Sequence, residues 1–275
     1  MNLVCGNRSL SLGRIAIMGV VNVTPDSFSD GGRYSELGPA VDRATELVSE
    51  GADIIDVGGE STKPSSIGTD VAEEIRRVVP LIRELVRQLS VPISIDTSKP
   101  QVMDAAVEAG AGLINDVCAL KKDGALSAAR DLGVPVCLMH KQGNPQSMQD
   151  SPYYDDVVSE VREFLQQRVD TCLDAGISSS QLLVDPGFGF GKNFNHNRSL
   201  ILELDKLKAL GLPITVGLSR KGFVGALLGD LNRDRSVCSA GLALIAVQKG
   251  ANVVRCHDVL VTRDLIRSWE MLQNP

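Results

Sequence analysis

The chain has 275 residues, 43% of them hydrophobic and 23% charged, with a formal net charge of −6. That length and apolar content support a large core, and the acidic balance argues against a nucleic-acid partner. No apolar run approaches the roughly 18 residues of a membrane span, which argues against membrane attachment.

At the N-terminus the apolar patches are short and broken by Gly6, Asn7, Arg8 and Gly13, which is not a secretory pattern. Six cysteines form no CxxC pair, so reduced thiols and a cytoplasmic location are expected. Leu3–Leu12 reads as a hairpin turning at Gly6-Asn7. Eight aliphatic runs follow: Ile15–Asn22, Ala52–Glu60, Val91–Thr97, Ala111–Val117, Val134–His140, Gln181–Gly187, Pro213–Ser219 and Ala251–Asp258. Continuous runs of this kind suit parallel strands buried on both faces.

Helical patterns fill the gaps. Val71, Ile75, Val78, Ile82, Leu85 and Leu89 mark one face of a long helix, and Pro100 suits the first turn of the next. Val161, Phe164, Leu165 and Cys172 mark another, as do Leu200, Leu204 and Leu207. Gly51, Gly110, Gly133, Gly176, Gly211 and Gly250 fall where helices should stop with positive φ.

Each aliphatic run closes on polar side chains: Asn22, Asp56, Asp96, Asn115, His140, Asp185, Ser219, and Arg255 with His257. A parallel barrel gathers one site from the ends of many strands in this way. The predicted class is therefore α/β, a (β/α)8 TIM barrel in one domain of residues 1–275, the hairpin capping its bottom. A doubly wound open sheet competes, but eight polar strand ends favour closure.

Several loops carry chemistry. Asn22–Gly32 contains Pro25, Phe28 and Gly31-Gly32 and reads as a lid or, more plainly, as a βα connection. Asn22 is a candidate ligand for a metal or phosphate oxygen, with Asp26 and Asp30 as lesser candidates. In GGESTKP, Gly58-Gly59 admit close backbone approach, while Thr62 and Lys63 offer a hydroxyl and an ammonium to an anion. Asp56 and Glu60 read as orienting groups.

Asp96, Asn115 and Asp185 enter an apolar barrel top and need buried donors. A flat heterocycle with adjacent ring N–H and amino groups supplies them; hydrogen bonds to the barrel's own loops are the plainer alternative. PGFGFGKN is not a Walker A loop, because Pro186 and Asn193 replace its first glycine and its Ser/Thr. Its glycines let backbone approach a ligand while Phe188 or Phe190 packs on it. Lys221 is placed to reach a ligand carbonyl, and a helix opening at Gly222 offers N–H groups to a carboxylate. Arg255 and His257 alternate by two and share a strand face, a reasonable phosphate or pyrophosphate site. With Lys63, Arg220 and Lys221, and His257 protonated, they form a basic rim suited to a small anion. His140 and His196 read as structural.

MGVVNVTPDSFSDGG, GADIIDVGGESTKP, SIDTSKP, INDV, LMHKQGNPQSM, DPGFGFGKN, LSRKGF and VRCHDV stand in this order along nearly the whole chain. Together they resemble the dihydropteroate synthases, the folate-biosynthesis enzymes that sulfonamides inhibit. The resemblance implies a homodimeric (β/α)8 transferase joining p-aminobenzoate to 6-hydroxymethyl-7,8-dihydropterin diphosphate with Mg²⁺. It places Asp96, Asn115, Asp185 and Lys221 around the pterin. Asn22, Arg255 and His257 fall at the diphosphate and magnesium. Thr62, Lys63, Phe28, Pro64, Phe190, Arg220 and Lys221 fall around p-aminobenzoate and its closing loops. The chemistry is then expected from Asp96, Lys221, Arg255 and His257, with Asn22 as metal ligand. Lys63 stands where many members have arginine, and Gly222 where some have serine. A methyltetrahydrofolate–corrinoid methyltransferase-like barrel has no use for Arg255, His257 and Asn22 as a diphosphate site. A non-catalytic pterin-binding paralogue would be expected to lack Asn22, Thr62 or Arg255.

Overall fold

The structure, a computed structural model, describes residues 1–23, 37–60, 68–143, 148–230 and 232–273. Asn2–Cys5 (β1) and Arg8–Ser11 (β2) form the antiparallel hairpin, with Gly6 at φ 65° in its turn. Eight parallel strands follow: Ala16–Asn22 (β3), Ile54–Gly58 (β4), Ile93–Asp96 (β5) and Leu113–Asp116 (β6), then Val136–Met139 (β7), Leu182–Asp185 (β8), Thr215–Gly217 (β9) and Val253–Cys256 (β10). Each is trimmed by at most two residues at either end of its aliphatic run, where the chain lifts away into a loop.

Neighbours pair in chain order from β3 to β8, and β10 pairs both β3 and β9. A bridge between Val184 and Ile214 joins β8 to β9, which closes the barrel. Nine α-helices lie among the described residues. Val71–Gln88 (the second) is capped by Asp70, whose carboxylate accepts the Glu73 N–H, and Pro100 opens Pro100–Glu108 at the position it disturbs least. The six predicted stop glycines all take positive φ. The pattern at Leu200, Leu204 and Leu207 does not make one helix: Phe194–Leu202 ends at Glu203 and a 3₁₀ segment continues over Leu204–Leu210.

Strand alternation sorts the side chains. Ile17, Ile55, Ile95, Ile114, Leu138 and Val254 face outward into the core beneath the helices, and Cys256 joins them. Ala16, Met18, Ile54, Leu113, Cys137, Leu183 and Val253 face inward and pack on Leu3, Cys5 and Leu10 of the hairpin. The hairpin therefore plugs the N-terminal end, as the sequence predicted. All six cysteines are free, with Cys137 and Cys256 buried. No helix among the described residues is long and apolar enough to cross a membrane.

Candidate active site

Inward positions turn polar toward the C-terminal end of the barrel. Strand register sets Asn22 beside Gly58, Gly58 beside Asp96, and Asp96 beside Asn115, one row across four strands. A cavity of about 820 Å³ opens above, lined among others by Asn22, Asp96, Phe190, Lys221, Arg255 and His257. A recess of about 20 Å³ adjoins it, where Asp96, Asn115 and Asp185 converge with Met139, Lys221 and Arg255.

Arg255 ties this end together. Its Nε donates to Asp56 Oδ2 at 2.6 Å and its Nη2 to Asp96 Oδ2 at 2.7 Å. Asp56 is fully buried and also accepts from Asn115 Nδ2 at 3.1 Å, so it orients both neighbours. Its other oxygen, Oδ1, is buried with no partner among the described residues. Burial disfavours the guanidinium charge, but Asp56 and Asp96 outweigh it and hold the Arg255 pKa above the usual arginine range. Burial pushes Asp96 up to about 7, with Arg255 pulling it down and Asp56 pushing it further up.

Asp185 Oδ1 accepts the Gly187 N–H at 2.7 Å. Burial raises its pKa to about 6, against the Gly187 N–H and the Lys221 charge. Lys221 lies over the Phe190 ring, its ammonium 3.9 Å from the centroid, a cation–π contact. Burial lowers Lys221 to about 8; Arg255 acts in the same direction and Asp185 against it.

The glycines of PGFGFGKN also have a packing role. Gly187, Gly189 and Gly191 all have positive φ. A Cβ on Gly187 would overlap the His140 carbonyl oxygen, and one on Gly191 the Gln142 carbonyl oxygen. At Gly187 and Gly191 the missing side chain lets the loop lie on its neighbouring loop and present Phe190, while Gly187 also borders the recess and Gly189 the cavity.

His257 also departs from its expected state. Its backbone N–H donates to Ser219 Oγ at 3.2 Å, and the same oxygen lies 3.0 Å from its Nδ1. Ser219 thus holds His257 through both its backbone N–H and its Nδ1. Burial, with Arg255 next, lowers the His257 pKa to about 4, so the imidazole is neutral at pH 7 and adds no charge to the rim. Arg220 does reach the cavity, but its guanidinium pairs with Asp258, Nε to Oδ2 at 3.0 Å. Its backbone is left-handed at φ 57°, fixed by Ser239 Oγ on its N–H and Arg235 Nη1 on its carbonyl.

Asn22 ends β3, and a Cβ on Gly58 would stand 3.0 Å from its Oδ1 and 3.7 Å from Asp96 Cβ. Gly58 thus leaves the space between these side chains open. Glu60 orients its surroundings, accepting from Lys99 Nζ and the Thr69 N–H, each at 2.9 Å. Thr62, Lys63, Phe28, Pro64, Asp26 and Asp30 lie outside the described residues. His140 and His196 have structural partners: His140 bonds Lys192 and His196 caps a helix with Asn193. The sequence reading passed over Met139, an apolar strand end, and Lys192, whose burial no local pattern reveals.

Residues 18–257 match the family model described as pterin binding enzyme. Over 270 residues the chain is 46% identical to the dihydropteroate synthase of Escherichia coli strain K12, covering 98% of this chain and 96% of that one. The dihydropteroate synthase of Xanthomonas albilineans, solved with 4-aminobenzoic acid, matches at 48% identity and TM-score 0.94, covering 100% of this chain and 98% of that one. A second structure from that organism, in complex with 7,8-dihydropteroate, matches at 46% identity and TM-score 0.91 over the whole of both chains.

Proposed function

The chain belongs to the dihydropteroate synthase family of pterin-binding enzymes, and from that premise we propose how its residues carry the reaction. It is a transferase that joins p-aminobenzoate to 6-hydroxymethyl-7,8-dihydropterin diphosphate, giving 7,8-dihydropteroate and pyrophosphate. The observation that carries the site assignment is the meeting of Asp96, Asn115 and Asp185, from three strands, in one recess beside Arg255. The methyltransferase-like and non-catalytic alternatives have no comparable support.

Asp185 grips the pterin edge, its carboxylate accepting the ring N–H and amino donors as it would a guanidinium. Asn115 and Lys221 complete the recognition, Lys221 at a carbonyl oxygen. The C–O bond to the diphosphate breaks, the arylamine nitrogen bonds to the pterin methylene carbon, and that nitrogen loses a proton. A neutral aniline is nucleophilic without a strong base. The cationic character left on the methylene is stabilised by Asp96, and the departing negative charge by Arg255 and His257. Arg255 Nη2 bonds Asp96 without substrate, so the cation assigned here to the leaving group is held beside the carboxylate assigned to the methylene.

Among the described residues no group of three His, Cys, Asp or Glu side chains is set to hold a metal ion. Mg²⁺ carried largely by substrate phosphates needs no such cluster, and the open space Gly58 leaves beside Asn22 Oδ1 fits a single protein ligand. When bound, Mg²⁺ would neutralise charge on the diphosphate. Thr62, Lys63, Phe190 and Arg220 are proposed to surround p-aminobenzoate, Arg220 once freed from Asp258, with the N–H groups at Gly222 receiving its carboxylate.

Residues 1–275 are proposed to act as one domain in a cytoplasmic homodimer. Six free cysteines fit a reducing compartment. Ser236–Gln248 is apolar nearly all round, with Val237 exposed at 70% and Ile245 at 40%, which fits a dimer face. The test is pyrophosphate release requiring the pterin diphosphate, p-aminobenzoate and Mg²⁺ together and blocked by a sulfonamide. Release without the arylamine, or near-normal turnover in both Asp96→Asn and Asp185→Asn, contradicts the proposal.

A further inference from the structure

Lys192 is a buried cation at the cavity wall to which this reaction assigns no task. It is only 2% exposed. Its ammonium donates to the Gly187 carbonyl at 3.0 Å and the Phe190 carbonyl at 3.1 Å, and lies 2.8 Å from His140 Nδ1. Three acceptors around one ammonium use all three of its protons, so Nδ1 of His140 is the accepting nitrogen while Lys192 is charged. Around the same loop, buried Asn197 accepts the Gly189 N–H at 2.7 Å and donates to the Lys192 carbonyl at 3.1 Å.

We propose that Lys192 is a positioning residue for pterin recognition, its ammonium fastening the loop between Asp185 and Lys192 to His140. The loop's two ends then present the Asp185 carboxylate to the recess and the Phe190 ring beneath Lys221. The proposal rests on the reading that Asp185 holds the pterin.

Electrostatics act in the same sense, since the Lys192 charge favours ionised Asp185. Burial lowers Lys192 to about 7 with Asp185 opposing, so the cation is present below neutrality, where Asp185 begins to take up a proton. The other charges acting on this group are Lys221 on both Lys192 and Asp185, Arg255 on Asp185, Lys121 on His140, and Glu160 on His196.

The test titrates 6-hydroxymethylpterin by calorimetry between pH 5 and 8 into the full chain and into Lys192→Met, Lys192→Gln and Asp185→Asn, with pyrophosphate as a second ligand. Lys192→Met should weaken pterin binding about tenfold, as for buried acceptors left unpaired. Its acid-side midpoint should rise by about half a unit, as when a neighbouring cation is removed. Pyrophosphate affinity should stay within about twofold, since the Lys192 ammonium bonds Gly187, Phe190 and His140, none of them assigned to the diphosphate. Lys192→Gln keeps two donors without the charge; it should hold the loop better than Met yet show the same rise in midpoint, and it carries the test if Met does not fold. Unchanged pterin affinity and midpoint at position 192, with binding lost in Asp185→Asn, overturns the proposal and leaves the pterin reading standing. Pterin affinity retained in Asp185→Asn removes that reading, and this proposal with it.

Discussion

Replacing Arg255 with Met removes the one cation between two buried carboxylates, and its cost should grow with pH. Asp56 and Asp96 lie 2.6 and 2.7 Å from the guanidinium, with side chains exposed by 0% and 9%. Breaking a buried pair from one side costs about 3–5 kcal/mol. The pH dependence comes from Asp96, raised to about 7 by burial and held from rising further by Arg255. A carboxyl whose folded pKa exceeds its unfolded value contributes stability that is fully present below the unfolded pKa. That contribution is lost as pH rises through the folded value.

In the native chain the loss is complete just above pH 7. Without Arg255 the folded pKa of Asp96 moves higher, and stability keeps falling through pH 8 at about 1.4 kcal/mol per unit. Integrated from pH 6 to pH 8, with the native Asp96 at about 7, the penalty of the substitution should be about 1.4 kcal/mol larger at pH 8. Urea denaturation of both proteins at the two pH values measures this. A penalty equal at both, or smaller at pH 8, would refute the coupling of Arg255 to Asp96.

Pterin affinity should fall below about pH 6, where Asp185 takes a proton, and above about pH 8, where Lys221 loses one; a flat calorimetric profile from pH 5 to 9 contradicts both roles. Gly187→Ala places a Cβ on the His140 carbonyl oxygen at a backbone φ of 67°, and should cost more than about 3 kcal/mol or abolish soluble expression. A wild-type denaturation curve would show that the loop relaxes freely. Val237→Glu should shift sedimentation from dimer to monomer while leaving the monomer folded; an unchanged dimer puts the interface elsewhere.

Much of the site could be read from the chain because barrel architecture turns a local pattern into a place. An aliphatic run ending in Asp96, Asn115 or Asp185 says that the residue stands at a strand end, and parallel closure brings those ends together. Period-two alternation likewise set Arg255 beside His257 and turned Cys256 toward the helices. The hairpin at Gly6-Asn7 and the proline start of Pro100–Glu108 rest on backbone preferences that act within a few residues. These the sequence determined by itself.

Other properties depend on distances and burial that only the closed barrel creates. The guanidinium of Arg255 meets carboxylates 199 and 159 residues away, and Asp258 draws Arg220 aside. Loss of water makes His257 neutral and brings Asp96, Asp185 and Lys192 to pKa values near 6 or 7. The glycines of PGFGFGKN look alike whether they face a ligand or a neighbouring carbonyl; only the packed loops show that Gly187 and Gly191 lie on the His140 and Gln142 carbonyls. Identity and spacing are written along the chain, whereas desolvation and long-range charge arise only when remote segments exclude water together.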